Sequence, residues 1–520
     1  MNKRFFGLCA AVLVCADFAA QAQHNDSTTV QRLDEVVVSD SRFALKRENS
    51  GKTVIKIGSK TLERYQGKNV AEIINAKSGL EIGGSRSREG AVFGVFARGG
   101  RGRQVLIIVD GVRVSDPSSS SSEYDLRMVS TADVESIEII KGAASTLYGS
   151  NAATAVINIV TKKAATDAIA GSFQSSVGTN QTSGNQNYNL SRSSNSARVS
   201  GTLGNFSYLA RVSNRYAEGL SDLITPQNEK DGFSHLSTGF RLGYSYGKKI
   251  DVSIYADQTK FRTDYDESYG LLDAPYQFLS QQERLGTSVK YSYEKGSIHM
   301  NAAYAVYNSE NISAFPSEYE GSNYNLDLYH KYDFNNQFYT LIGLNYLEDR
   351  TEFAGQEKFH LIDPYLNAVF VSDFGLNVNA GARLNNHSTY RNNFVYNLNP
   401  SFLLKHHNGY YKILTSYATS YITPSLTQLY GNFGANPDLQ PENDRTLEAG
   451  FEYSKTGELR LSTLYFNRTE DHFVFYDLET GSYKNALNPG YLYEKNFTVI
   501  SFLLCFCYFQ SSPCAVHFVF

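Results

Sequence analysis

The side chains that most often carry chemistry are few in this chain and poorly spaced for it. The five cysteines are Cys9, Cys15, Cys505, Cys507 and Cys514, so nothing between Gln23 and Leu504 can form a disulfide or a thiolate metal site. His406-His407 lies beside a turn signal, Asn408-Gly409, where exposed polar residues are the plain reading, and no Ser, His and Asp set gathers around a nucleophile elbow. The run Gly99-Gly100-Arg101-Gly102 invites a phosphate cradle or an RNA-binding Arg-Gly box. It lacks the strand and helix order of a dinucleotide fingerprint, no Gly-Lys-Ser/Thr follows, and a single Arg-Gly-Gly carries little weight. No constellation here supports an enzyme, and a net charge of -4 over 520 residues gives no nucleic-acid signal.

The elements that would position functional groups are clearer. Val134 to Lys163 reads as a strand with Ile137 and Ile139 alternating with Glu138 and Ile140, a small-residue segment Gly142-Ala143-Ala144-Ser145, a Tyr148-Gly149 turn, and a strand Ala155 to Thr161. Upstream, Ala97 to Val112 holds a glycine-rich turn, an apolar strand Val105 to Val109 and an Asp110-Gly111 turn. Lys52 to Ile57 reads as a strand, Ser59 to Lys77 as a helix closed by Ser78-Gly79, and Leu80-Glu81-Ile82 as the start of another strand. Two polar segments, Gly83 to Gly90 and Ser115 to Asp125, read on their own as solvated loops.

After Ala164 the pattern becomes two-residue alternation that persists for roughly 300 residues. Phe240, Leu242, Tyr244 and Tyr246 are one such face; Gly247-Lys248-Lys249 then turns the chain into Ile250, Val252 and Ile254. Short turns of this kind alternate with longer polar excursions, such as Asp257 to Glu283 and Asn308 to Ser322. That asymmetry is what a membrane barrel with tight periplasmic turns and long outer loops produces. A soluble sandwich would keep its exposed face polar and its loops alike at both ends. The mean hydropathy of -0.34 excludes a bundle of apolar membrane helices. It suits a barrel whose every second residue faces a polar lumen, with 37 Tyr and 32 Phe available for interfacial girdles.

At the start, Lys3-Arg4, an apolar core around Phe5 to Val14 and Ala20-Gln21-Ala22 have the form of a secretory signal over residues 1–22. Residues 23–40 follow as a polar arm ending in Leu33-Asp34-Glu35-Val36-Val37-Val38-Ser39, a β-branched strand behind two acids that taken alone is equally an ordinary edge strand. At the far end, residues 497–520 contain no Lys, Arg, Asp or Glu and lose the alternation. A reading frame lost near Asn496 is favoured there over a membrane helix or a terminal strand.

Taken in order, Arg98-Gly99, Asp110-Gly111, Ile137-Glu138, Gly142, Tyr148-Gly149 and Ile157-Asn158-Ile159-Val160-Thr161-Lys162 resemble the plug domain of TonB-dependent outer-membrane receptors. Asn436-Pro437-Asp438-Leu439-Gln440-Pro441-Glu442 resembles a segment of the receptor barrels. The resemblance implies an α+β plug over residues 41–165 inside an antiparallel transmembrane β-barrel over residues 166–496. About 15 strand candidates are present against roughly 22 in such transporters, leaving the wall roughly six or seven strands short.

The resemblance also assigns roles. Asp34, Glu35, Val36, Val37 and Val38 are similar to the TonB box, the segment captured by the energy-transducing TonB-ExbB-ExbD complex, and an extended segment suits addition to a partner's sheet edge. Ser85, Arg86, Ser87, Arg88, Asp116 and Ser118 fall on the loops expected to form the plug apex and face substrate. Arg98 is expected as a buried charge that needs a carboxylate from the barrel wall, since an unpaired buried guanidinium is too costly. SDSRFALKRENSGKTVIKI, VAEIINAKSGLEI and the run from Gly142 to Ala164 are most similar to cobalamin (vitamin B12) receptors of Bacteroidetes-type bacteria. Siderophore or haem import is the alternative ligand class, and a receptor fragment without function or, less favoured, a passive porin are the alternative proteins. Some cobalamin receptors hold calcium in outer loops, so Asp257, Asp264, Asp266 and Glu267 are candidates for a structural calcium site, against a plain solvated acidic loop. No cofactor is otherwise required. The expected surroundings are outer-membrane lipid, a small-molecule ligand (cobalamin or a metal chelate) and a surface lipoprotein partner, with no nucleic acid.

Overall fold

The computed structural model describes residues 36–37, 40–65, 67–84, 88–91, 93–184, 186, 188–221, 223, 230–267, 270–455, 459–486, 501–506 and 514–519. The signal sequence, most of the arm and half of the apolar tail lie outside these residues. So do Asp34, Glu35, Val38, Ser85, Arg86 and Ser87.

The N-terminal part contains strands β1 (Val36–Val37), β2 (Leu45–Lys46), β3 (Thr53–Ile57), β4 (Glu81–Gly83), β5 (Gly94–Phe96), β6 (Val105–Val109), β7 (Val112–Val114), β8 (Val134–Lys141) and β9 (Ala155–Thr161). Five of them form a mixed sheet in the order β3-β8-β9-β6-β7, in which only β6 and β9 run parallel. All five residues of β6 are buried, which explains its unbroken Val-Leu-Ile-Ile-Val run: both faces of this strand are covered. The turn into β7 takes positive φ at Asp110 and Gly111, the signature of a tight two-residue hairpin.

The expected helix over Ser59 to Lys77 is two helices, Ser59–Arg64 and Val70–Ser78. Gly67, at φ 83°, takes a conformation that no helix interior accepts and breaks the pattern between them. The second helix is fixed at both ends. Asn69 and Glu72 form a capping box, and Gly79 ends it in the left-handed conformation. Val70, Ala71, Ile73 and Ile74 are fully buried against the sheet, so the apolar spacing faces the plug core.

The remaining strands form one antiparallel sheet in which each strand pairs with the next. They are β10 (Ala170–Thr179), β11 (Leu190–Leu203), β12 (Phe206–Ala217), β13 (Phe233–Tyr246), β14 (Ile250–Glu267), β15 (Leu272–Tyr293), β16 (Gly296–Ile312) and β17 (Ser317–Asp333). The series continues with β18 (Phe338–Glu352), β19 (Gln356–Val371), β20 (Leu376–His387), β21 (Arg391–His406), β22 (Gly409–Ile422), β23 (Glu442–Lys455) and β24 (Leu459–Asp471). The sheet is thus 15-stranded, and among the described residues no ladder joins β10 to β24. Two small hairpins follow, β25 (Val474–Asp477) with β26 (Ser482–Asn485), and β27 (Ser501–Phe506) with β28 (Cys514–Val519).

The sheet is polar inside and apolar outside. On β17, Asn323, Asn325 and Asp327 are buried while Tyr324, Leu326 and Leu328 are exposed, the inversion expected where lipid replaces water. Outward aromatic residues stack across strands at two levels, Tyr293 with His330 and Tyr304 with Tyr324. On the β15–β16 ladder, Tyr293 pairs with Gly296 and Tyr304 with Leu285. That separates the levels by roughly 27 Å along the strand, which at a tilt of about 40° is roughly 21 Å of height, within the about 25 Å apolar band of outer-membrane barrels.

The long polar excursions are a correction. Asp257 to Glu283 is not a loop: β14 and β15 stay paired from Ile250↔Tyr291 to Glu267↔Leu272. Likewise β16 and β17 pair out to Asn311↔Ser317. Above the lipid the outward face meets water, so apolar alternation stops while the ladder of backbone hydrogen bonds continues.

Candidate functional site

The arm enters the molecule as a minimal ladder, with Val36 opposite Lys46 and Val37 opposite Leu45. Just beyond, Arg42 at φ 59° turns its guanidinium into the wall. There it pairs with Asp327 of β17, donates to the Tyr365 hydroxyl at 3.2 Å and lies over the rings of Tyr329 and Tyr148, 4.6 and 5.1 Å from their centroids. Phe43 packs beside it against Leu341 and Val369. The sequence reading did not single out this anchor. Its partners lie on strands far away in the chain, and only the polar-then-aromatic Arg-Phe step after the arm hinted at it.

Arg98, at φ 50°, forms an ion pair with Glu448 on β23, both side chains being buried. Glu448 also faces Lys52 at 3.6 Å, and the Lys52 ammonium donates to the Ala143 carbonyl at 2.9 Å. Burial, reinforced by the Arg98 charge, pushes the Lys52 proton affinity down. Gly142, at φ 94°, makes this approach possible, because a β-carbon there would overlap both Glu448 Oε1 and Arg98 Nη1. Neighbouring arginines are also engaged by the wall. Arg101 and Gln104 reach Glu442 at 2.9 and 3.2 Å, Arg103 lies 3.7 Å from the same carboxylate, and Arg101 lies 3.3 Å from Glu470 of β24. Arg103 additionally donates to Gln428 at 2.7 Å and to the Thr423 carbonyl at 2.5 Å. The glycine-rich run therefore presents its cations to carboxylates of the wall and is no phosphate cradle.

Facing β14 to β16 instead, Arg88 and Asp116 line a cavity of about 380 Å³ between plug loops and these strands. Arg88 donates to Thr263 Oγ1 at 3.1 Å and lies 3.6 Å from Asp231. Asp116 accepts from the Ser118 amide and hydroxyl at 2.9 and 2.6 Å, and burial pushes its carboxyl up to about 6 against these bonds. Ser118 is buried and does not line the cavity; its carbonyl region is held by Thr427, and Ser115 by Asn323. The Ser115 to Asp125 segment is accordingly packed against the wall, and the reading of it as a solvated loop is corrected. The cavity's aromatic surface comes from Phe93, Tyr124, Tyr265, Phe278 and Tyr307, and its charged residues are Arg88 and Arg127 against Asp116, Glu123 and Asp125.

The four acidic residues considered for calcium are not gathered. Asp257 sits on the lumen side of β14 between Arg211 at 2.6 Å and Arg284 at 2.9 Å. Asp264 lies seven strand positions further on, roughly 23 Å away along the backbone, and pairs with Arg262 at 3.1 Å. Asp266 is buried and accepts from the Ala274 amide at 3.1 Å, while Glu267 is the last residue of β14. Among the described residues no group of three or more His, Cys, Asp or Glu side chains could hold a metal ion. Carboxylates that looked like one loop are spread along a strand, and Asp257, Asp264 and Asp266 are engaged by the partners just named.

Comparison with known proteins agrees with this geometry. Residues 46–156 match the TonB-dependent receptor plug domain family, and residues 171–494 match the TonB-dependent receptor-like β-barrel family. The vitamin B12 transporter BtuB of Photobacterium profundum is 23% identical over 468 residues, covering 86% of this chain and 71% of that protein. Among solved structures, the siderophore receptor PirA from Pseudomonas aeruginosa superposes with a TM-score of 0.68 at 18% identity, covering 87% of this chain and 81% of its own. The ferric enterobactin receptor PfeA from Pseudomonas aeruginosa gives 0.70 at 16%, with coverages of 87% and 78%. At these identities the structural likeness speaks for the fold. A mixed-sheet plug clamped by buried ion pairs to a lipid-facing antiparallel wall, matched by family over most of its length, places the chain among the TonB-dependent receptors of the outer membrane.

Proposed function

We propose that this receptor imports a scarce small molecule, with cobalamin as its ligand, and that the partner complex draws on residues 34–38 to move the plug. The observation that carries the ligand is the chemistry of the apical cavity. Two arginines face three carboxylates there, and the rest is aromatic, hydroxyl and amide surface. Such a lining favours a large amphipathic ligand rich in amides over a multiply anionic metal chelate, which would meet net negative charge. The similarity to a vitamin B12 transporter supports the same choice. For the partner, the support is the brevity of the β1–β2 ladder: two residue pairs are readily exchanged for a longer ladder on another sheet edge.

The test compares outer membranes carrying the chain for retention of labelled cyanocobalamin and of a ferric chelate. Cobalamin retention is expected, and selective retention of the chelate would overturn the ligand. Deleting residues 34–38 should leave retention intact and abolish uptake into the periplasm; continued uptake would overturn the role of that segment. A second reading, a receptor fragment without transport, has its own observation in the absence of a ladder between β10 and β24 among the described residues. Unpaired strand edges are costly in lipid. That reading predicts no full-length product in outer-membrane fractions.

A further inference from the structure

A second cavity, of about 290 Å³, lies between the plug and the inner faces of β10 to β13. It extends from Arg215 and His235 in the outer half of the wall to Arg198 and Lys162 near the periplasmic turns, and its surface is polar, with Ser194, Ser196 and Ser213 on the wall side. Three residues, Gly90, Phe93 and Arg127, line both this cavity and the apical one. The two chambers therefore stand back to back, divided by one thin partition.

Arg127 holds that partition together. Its Nη1 donates to the Gly90 carbonyl at 2.7 Å, while Nε and Nη2 grip the Asp125 carboxylate at 2.9 and 2.6 Å. The guanidinium carbon lies over Phe261 of β14, 4.4 Å from the ring centroid. Gly90, at φ 84°, is wedged so tightly against Thr263 and Phe233 that no β-carbon would fit. On the inner side, Glu89 is tied to Arg215 of β12.

From this arrangement we infer that the ligand's route runs along the β10–β14 side of the plug, through two chambers already present, and that the Arg127–Gly90 contact is the neck that closes it. The bonds at the neck join plug to plug or plug to wall through polar groups that bordering water can satisfy, whereas Leu126 stays in the plug core and Met128 packs on Ala217, Phe233 and Phe261, so the parting falls on the Arg127 side chain and on residues 88–91. A shift of residues 88–91 together with the Arg127 side chain would join the chambers without dismantling the five-stranded sheet. The inference takes the direction of traffic from the import reading and nothing else.

The experiment is external labelling of a single cysteine in the inner chamber. Ser196→Cys is placed in the full chain with the five native cysteines replaced by serine, and a membrane-impermeant methanethiosulfonate is added to whole cells. With Arg127 intact, labelling should be slow. Arg127→Ala or Asp125→Asn should raise the rate severalfold, whereas Arg103→Ala, on the opposite flank, should leave it unchanged. Ala71→Cys in the plug core reports general unfolding: should it label in the Arg127→Ala background, the Asp125→Asn variant decides. Equal labelling with and without the neck substitutions, or an equal rise from Arg103→Ala, would overturn the proposal. Neither ligand nor energy source enters this measurement, so a chain that imports nothing still reports its neck, and an importer using another route fails here while passing the uptake test.

Discussion

The two flanks of the plug are fastened by different mixtures of ion pairs and neutral hydrogen bonds. Toward β22–β24 the contacts are ion pairs and hydrogen bonds to buried carboxylates: Glu448 takes Arg98 and Lys52, and Glu442 takes Arg101, Arg103 and Gln104, beside a cavity of about 520 Å³ that Arg98, Arg101 and Arg103 line. Toward β10–β13 the plug meets the wall across a polar cavity, and hydroxyl contacts such as Ser213 with Ser130 at 2.8 Å border that space beside the ion pairs of Glu89 with Arg215 and of Asp133 with Arg211. A buried ion pair resists loss of either partner, because the survivor is left charged and unsolvated. A hydrogen bond beside a cavity can be replaced by water. Two buried carboxylates therefore gather the plug's cations toward β22–β24, while the hydroxyl contacts toward β10–β13 can exchange with water, and substitutions on each side should separate the two behaviours.

The largest effect is expected from Glu448→Ala, which strands two cations at once. It should lower plug stability by about 3–5 kcal/mol, read as a fall in the urea midpoint for protease resistance of the plug within isolated outer membranes. An unchanged midpoint would mean that this flank is not the fastening it resembles. Gly142→Ala comes next at about 1–3 kcal/mol, since the new methyl meets both members of the pair and the backbone there is left-handed. A double variant with Glu448→Ala should then cost less than the sum, because with the carboxylate gone the methyl has room.

These two residues also show what was readable from the chain alone. Arg98 and Gly142 stand in short ordered motifs, and the cost of a lone buried guanidinium was enough to demand a carboxylate from the wall. The partner, Glu448, was not readable: it lies far along the chain, and only the register of β22 to β24 brings it to the plug. The wall itself was visible as alternation where lipid faces it. The same rule failed at Asp257 to Glu283, because above the membrane both faces are polar while the strands continue. Arg127 carried no sequence signal at all, since its importance comes from the two cavities on either side of it.

Asp116 offers a smaller test on the apical side. Burial raises its carboxyl to about 6 from an ordinary 3.8, so between these values the folded chain keeps a proton that the unfolded chain has released. Its contribution to stability must fall as pH rises through that window and stay low above it. Relative to Asp116→Asn, which does not titrate, the native chain should lose on the order of 1–2 kcal/mol between about pH 4 and pH 6 and show no further change to pH 8. A difference that grows with pH instead would place the carboxylate in a favourable ionic contact.

The smallest effect should come from Ser213→Ala on the cavity flank, and its smallness is the point. The substitution removes one hydroxyl-to-hydroxyl bond, a loss of about 1 kcal/mol if the Ser130 hydroxyl were left dry. Both serines line the inner cavity, whose volume of about 290 Å³ far exceeds the space one water needs. Water can therefore take the vacated bond, and the net change in the same urea assay should stay within about 0.5 kcal/mol. Substituting Ser196 as well, directly opposite Ser213 on β11, should add little more, because it enlarges a space that is already wet. A drop of several kcal/mol from Ser213→Ala would show that this flank carries load after all, and would remove the reason for the plug to part from the wall along β10–β13 rather than along β23.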